Sequence, residues 1–208
     1  MAEAPPTVIV VDDDPAVREA LASLLGSVGL RTSVYGSAPD FLKAGRPDGP
    51  TCLVLDVRLP GQGGLSFQRE LSRAGIHLPI IFITGHGDIP MSVQAIKGGA
   101  IDFMTKPFRD QDLLDAIHLG FEQDRAWREN EMTVALLRQR FGSLTHRERE
   151  VMAHVVTGRL NKQIANDIGI SEATVKVHRG NVTRKMEAPS VVALVLMVEK
   201  LSLTSENL

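Results

Sequence analysis

Apolar and polar positions follow two different rhythms along this chain. As far as about residue 121, short apolar runs rich in β-branched residues take turns with stretches in which apolar residues recur at helical spacing, and beyond about residue 142 only the helical spacing remains. Thr7 to Val11 reads as a buried strand, and Asp14 followed by Pro15 reads as the cap and first position of a helix carrying Val17, Leu21, Leu24 and Val28 and ended by Gly29. Thr32 to Tyr35 is a short strand, and a short helix begins at Pro39. Cys52 to Leu55 is four apolar residues in succession, the mark of a strand buried on both faces. The loop Pro60 to Gly64 leads to a helix through Leu65, Phe67 and Leu71. Leu78 to Thr84 is a fourth strand, Pro90 to Gly98 a helix, Ile101 to Thr105 a fifth strand, and Asp110 opens a helix with Leu113, Leu114, Ile117 and Phe121. Strand and helix alternate five times, which predicts an α/β fold with a doubly wound, five-stranded parallel sheet.

The polar residues that break this pattern fall at strand ends. Asp12 and Asp13 follow the first strand, Asp56 the third, Thr84 the fourth and Lys106 the fifth. In an open α/β sheet the carboxyl ends of the strands are where ligands bind, so these residues are predicted to converge. Each acid alone is equally a helix cap or a turn residue. Together they describe a pocket whose carboxylates need a cation between them. Oxygen donors without His or Cys favour a hard ion, Mg²⁺ or Mn²⁺. With the metal and Lys106 neutralising phosphoryl oxygens and Thr84 bonding to one of them, Asp56 is placed to act as nucleophile and become an aspartyl phosphate.

Charge is unevenly spread over the 208 residues. Residues 1–121 hold 10 basic and 14 acidic side chains, residues 122–141 hold 4 of each, and residues 142–208 hold 9 and 7. An acidic front fits a cation-using site and a mildly basic back fits a polyanion. The single Cys52 excludes an internal disulfide and favours a reducing compartment. The amino terminus lacks a basic segment followed by an apolar one, and no apolar run approaches the roughly 20 residues of a membrane helix, so a cytoplasmic protein with no membrane contact is expected.

The residues around these strand ends resemble the receiver domain of two-component response regulators, closest to the FixJ/NarL class. The resemblance rests on Val-Val-Asp12-Asp13, Leu-Asp56 with Leu-Pro60-Gly61, Ile-Thr84-Gly-His-Gly-Asp and Asp-Phe103-Met-Thr-Lys106-Pro107-Phe108, and covers residues 7 to about 121. It implies that Asp56 takes its phosphoryl group from a sensor histidine kinase. It also implies that Asp12, Asp13, Asp56 and the carbonyl of Arg58 bind the metal, and that Thr84 and Phe103 relay the change. Arg58 and His86 border the phosphoryl site at positions that vary in the family.

Residues 122–141 lack Gly and Pro and place Trp127, Val134, Leu137 and Phe141 near a heptad spacing, which predicts a helix. Asn130 or Glu131 interrupts that seam. The helix either pairs with a second copy or packs on its own chain.

From Gly142 onward, Thr145 and Glu148 form a capping box, with Val151, Val155 and Val156 on a core face. Asn161 to Ile168, the turn Gly169-Ile170-Ser171 and then Glu172 to Met186 make a helix-turn-helix. Val175, His178, Val182 and Met186 share the inward face of the second helix, while Ala173, Val177, Gly180 and Arg184 lie opposite. In a major groove, Val177 would meet a thymine methyl, Lys176 and Asn181 base edges, and Arg184 or Lys185 phosphates. Leu144-Thr-x-Arg-Glu, Asn161-Lys-x-Ile-Ala and Ser171-x-x-Thr-Val-Lys-Val-His resemble the LuxR-type DNA-binding domain over about residues 142–201. Gly180 stands where relatives carry a base-contacting Lys.

The expectation is a receiver at 1–121, a helical linker at 122–141 and a small all-α helix-turn-helix domain at 142–208. Its function would be a phosphorylation-activated transcription factor that binds double-stranded DNA and forms a homodimer on phosphorylation. An aspartyl phosphatase acting on small molecules would need a cap insertion, and the loops are too short for one. A scaffold working without phosphorylation would carry a broken acidic site, and this one is whole.

Overall fold

In the computed structural model, which describes residues 4–201, the first part of the chain is an alternating α/β unit. In chain order it runs β1 (Thr7–Val11), α1 (Pro15–Ser27), β2 (Arg31–Tyr35), α2 (Ala38–Ala44), β3 (Thr51–Asp56), α3 (Gly64–Arg73), β4 (Ile80–Thr84), α4 (Ile89–Lys97), β5 (Asp102–Thr105) and α5 (Asp110–Gly142). The strands pair in parallel in the order β2-β1-β3-β4-β5. The doubly wound parallel sheet expected from the alternation is therefore present.

The two-residue period of the strands divides their side chains between two cores. Ile9, Val11, Leu53, Leu55 and Phe82 point to the side closed by Phe41, Phe67, Leu71 and Ala95 of α2, α3 and α4. Val8, Val10, Cys52, Val54, Ile81 and Ile83 point to the other, closed by Leu21 and Leu25 of α1 and Leu113, Ile117 and Phe121 of α5. Burial on both faces is why the central strands read as unbroken apolar runs. Edge strand β2 is half exposed and gave a weaker pattern.

Caps set where the helices start. Asp14 accepts from the Ala16 amide ahead of α1, Ser37 from Asp40 ahead of α2, and Asp88 from Met91 ahead of α4. Gly64 opens α3 so close to β3 that a Cβ there would overlap the carbonyl oxygen of Asp56.

The helix that begins at Asp110 does not stop near Phe121. It continues without a break through the stretch read as a linker and ends at Gly142, 33 residues in all. Of the heptad-spaced residues, Val134 and Leu137 are buried and Phe141 packs on the core of the helices that follow. The described chain divides into compact units at Arg128 and Glu129.

Beyond α5 come α6 (His146–Val156), α7 (Asn161–Ile168), α8 (Glu172–Met186) and α9 (Val191–Lys200). Thr145 and Glu148 form the expected capping box. Gly169, at φ +69° in the left-handed region, ends α7, and Ser171 caps α8. Helix α9, capped by Ser190, was not anticipated from sequence, although its run of Val, Ala and Leu after a Ser is a legible helix start. Its Leu194 and Val198 complete a core with Val151, Met152, Ile164, Val175, Val182 and Met186.

One close approach yields a test. A Cβ at Gly120 of α5 would lie 2.6 Å from the Cys52 sulfur and 3.1 Å from the Ile101 side chain. Gly120→Ala is expected to cost about 1–3 kcal/mol through overpacking. Combining it with Cys52→Ala should cost less than the two single losses together, as followed by urea unfolding.

Candidate functional site

The order β2-β1-β3-β4 means that the chain leaves β1 toward one edge of the sheet and leaves β3 toward the other, which opens a crevice between the carboxyl ends of β1 and β3. Val11 is in register with Leu55, so the next residues, Asp12 and Asp56, flank that crevice. Both are buried, at 1% and 6% exposure. One cation serves both: Lys106 Nζ lies 2.7 Å from Asp12 Oδ2 and 3.4 Å from Asp56 Oδ1.

The remaining carboxylate oxygens are held by backbone amides. Asp14 N donates to Asp12 Oδ1 at 2.9 Å, and Arg58 N donates to Asp56 Oδ2 at 2.8 Å. Lys106 is placed by its own amide, which donates to Thr84 O at 2.7 Å, and it precedes a cis peptide to Pro107. Burial pushes the Asp56 carboxyl above the usual aspartate value. The Arg58 amide and Lys106 pull it down, and the charge of Asp12 raises it again. A carboxylate only partly neutralised in a buried setting is short of positive charge.

Two buried carboxylates sharing one ammonium retain an excess negative charge, and the atoms they offer to a metal are oxygens. That set fits a hard divalent ion, since Mg²⁺ commonly takes one or two carboxylates and keeps several waters. Asp13 is exposed, and among the described residues no three carboxylates or imidazoles stand around one point. Arg58 contributes its amide to the site while its side chain is exposed.

Thr84 is fully buried at the end of β4. Its hydroxyl accepts from the His86 amide at 3.2 Å and donates to the His86 carbonyl at 3.3 Å, so it tethers the following loop. Phe103 is half-buried on the core face of β5, its ring centroid 6.4 Å from that of Phe82. A Cβ at Gly87 would come within 2.8 Å of the Phe103 ring and 3.1 Å of the Thr84 methyl, so this loop lies against both residues. Arg18 was not singled out from sequence: its guanidinium donates to the Asp12 carbonyl at 2.7 Å and braces the loop after β1. An arginine one turn into a helix carries no signal of that kind.

In the second unit, α8 presents Lys176, Val177, Gly180 and Arg184 outward, with Val177 62% exposed and Asn181 partly exposed beside them. His178 is half-buried on the inner side, its Nδ1 enclosed without a partner. Arg179 donates to Asn161 at 2.6 Å and ties α8 to the start of α7.

Lys185, expected from sequence to meet a phosphate, is half-buried and has its ammonium engaged within the fold. Its ammonium lies 2.6 Å from Glu148 Oε2 and 3.0 Å from the Ser143 carbonyl. Glu148 is buried, and the same oxygen accepts from the Thr145 amide at 2.8 Å. Burial pushes the Glu148 carboxyl up, but Lys185 and Thr145 outweigh it and hold the group below the usual glutamate value. Lys185 is therefore spent on neutralising a carboxylate of the fold.

Comparison with known proteins places both units. Residues 8–118 match the response regulator receiver domain family, and residues 142–198 match the bacterial regulatory proteins of the luxR family. The chain is 52% identical over 200 residues to Nodulation protein W of Bradyrhizobium diazoefficiens, a match covering 96% of this chain and 88% of that protein. It is 45% identical over 188 residues to the Transcriptional regulatory protein FixJ of Azorhizobium caulinodans, covering 90% and 89%. Among solved structures, the response regulator StyR superposes with a TM-score of 0.83 at 48% identity, covering 95% of this chain and all of that one.

The Lys185 ion pair has a measurable consequence. Lys185→Ala leaves a buried carboxylate unpaired and is expected to destabilise the C-terminal unit by about 1–3 kcal/mol in thermal unfolding of the full chain. Because the Glu148 value is depressed, its contribution should be present above about pH 4.3 and be lost as pH falls below that.

Proposed function

This chain belongs to the response regulators, with a receiver domain followed by a luxR-family regulatory domain, and on that premise we propose that Asp56 is the phosphoacceptor whose modification drives promoter binding. The chain is a phosphorylation-activated regulator of transcription in a two-component system. The observation that carries the residue assignment is the Asp12–Lys106–Asp56 arrangement at the crevice between β1 and β3.

In the proposed reaction an Asp56 carboxylate oxygen attacks the phosphorus of a phosphohistidine on a sensor histidine kinase. The P–O bond to Asp56 forms as the P–N bond breaks, and the departing imidazole leaves neutral after taking up a proton. Lys106, already between the two carboxylates, follows the negative charge onto the phosphoryl oxygens. The Arg58 amide keeps one Asp56 oxygen occupied and so directs the other at the phosphorus. Asp12, Asp56 and the Arg58 carbonyl, with Asp13 turning in from its exposed position, would hold Mg²⁺ or Mn²⁺, which when bound would supply further charge neutralisation at the phosphoryl group.

Once the phosphoryl group is present, Thr84 exchanges its tether to His86 for a phosphoryl oxygen, and the loop lying on Phe103 is released. The surface next to this change is α4, where Ile89, Val93 and Ile96 are exposed at 79%, 45% and 48%. That apolar face supports dimerisation on phosphorylation. Two copies on adjacent turns of DNA multiply the affinity of a short half-site. On α8, Lys176, Val177 and Asn181 are assigned to base edges and Arg184 to a phosphate. No helix among the described residues is long and apolar enough to cross a membrane.

Intact mass after treatment with acetyl phosphate and Mg²⁺ is expected to rise by one phosphoryl group in the wild type and not in Asp56→Asn. A full shift in that variant, or in the wild type with EDTA, contradicts the assignment. Lys176→Ala should cost about 1–3 kcal/mol on a preferred DNA site and little on random DNA, measured by fluorescence anisotropy across a salt series.

A further inference from the structure

Away from the phosphoryl site, at the opposite end of the sheet, a group of charged and aromatic side chains fastens the early part of the linker to the receiver. Asp124 of α5 is fully buried. Its Oδ1 is paired with Arg46, from the segment between α2 and β3, and its Oδ2 accepts from Arg128 Nε at 2.9 Å and from the Thr51 amide, the first of β3, at 2.8 Å. Arg46 also donates to the His77 carbonyl at 2.6 Å, and Arg128 to the Pro47 carbonyl at 3.1 Å. Trp127 lies flat on the His77 ring, with centroids 4.7 Å apart and planes 16° from parallel, and the Arg46 guanidinium stands 5.4 Å from the Trp127 centroid.

His77 is the weak point of this arrangement. Its Nε2 is buried with no hydrogen-bond partner. The charged groups facing it are Asp124 from α5 and Arg46 from the α2–β3 segment, while Arg128 is turned to the other oxygen of Asp124. An imidazolium here would carry an unsatisfied buried N–H and sit against the Arg46 cation, and Asp124 is already committed to two arginines. Desolvation holds the His77 value below that of an ordinary histidine, and Arg46 adds to this against the opposing pull of Asp124. A histidine depressed in the folded state contributes fully above about pH 6.5, and that contribution is lost as pH falls through its folded value.

We propose that this cluster is an acid-released latch: with His77 neutral it holds residues 124–128 of α5 on the floor of the receiver, and protonation of His77 frees them. The latch adds a response to proton concentration that does not pass through Asp56, and it acts on the segment leading from one unit to the next.

Trp127 is the chain's one tryptophan, so its emission reports the latch directly. In the full-length protein, acrylamide quenching of Trp127 should be weak at pH 7.5 and rise several-fold by pH 5, with a midpoint below about 6.5. Because an imidazolium also quenches a stacked indole, amide hydrogen exchange over residues 122–132 is followed in parallel, and its protection relative to the intrinsic rate at each pH should fall through the same midpoint. His77→Phe keeps an aromatic stack without a titrating group and should abolish both transitions, as should His77→Gln if the phenylalanine variant misfolds. Asp124→Asn should leave Trp127 accessible at pH 7.5. The proposal is overturned if either histidine variant keeps the transition, if quenching changes without exchange, or if the wild type shows no transition. Phosphorylation of Asp56, measured by intact mass at pH 7.5, should be unchanged in the His77 variants.

Discussion

The receiver depends on one ammonium group shared by two buried carboxylates. At an effective dielectric constant near 20, two like charges about 4 Å apart repel by on the order of 4 kcal/mol. Asp12 and Asp56 can therefore stay side by side only while Lys106 lies against both. Its position depends in turn on β5 ending next to β4, on the Lys106 amide meeting the Thr84 carbonyl, and on α3 coming close enough to brace β3, which Gly64 permits. The sheet register, the loop lengths and the glycine all serve this placement. The same charge shortage makes the site receptive to a cation and to a phosphoryl group, whose arrival redistributes the positive charge that Lys106 carries.

Much of this was legible from sequence because buried parallel strands leave a plain trace. Val8–Val11 and Cys52–Leu55 are apolar throughout, and an acid directly after such a run is conspicuous. The convergence of Asp12, Asp56, Thr84 and Lys106 then follows from topology alone, since parallel strands end on one side. What sequence did not reveal are partnerships made across long stretches of chain. A helical wheel turns Lys185 toward a phosphate and cannot show that the carboxylate of Glu148, 37 residues earlier, engages it. Nor does it show Arg18 reaching back to the Asp12 carbonyl. The exposed Val177, by contrast, was readable because its position on the wheel depends only on its own helix.

The linker shows the same division. A helix over residues 122–141 was predictable from composition, yet its continuity with the preceding helix reflects the absence of any breaker between Asp110 and Gly142 apart from Gly120, which contact with Cys52 makes necessary. Its heptad-like apolar residues left open whether a second copy covers them. Val134 and Leu137 are buried within the second unit, and Trp127 is stacked on His77 within the first. The Asp124 cluster brings together residues 73 and 78 positions apart, beyond the reach of local pattern.

Cys52 packs wholly inside β3 against Gly120, with burial foremost and the nearby Asp124 charge second in holding its thiol protonated. As the chain's one cysteine it offers neither a thiolate to oxidants nor a sulfur to alkylating reagents while the receiver stays folded. The natural protein is thus chemically silent toward maleimides, and a cysteine introduced on any exposed helix would take a spectroscopic label at that position alone, with no background thiol to remove.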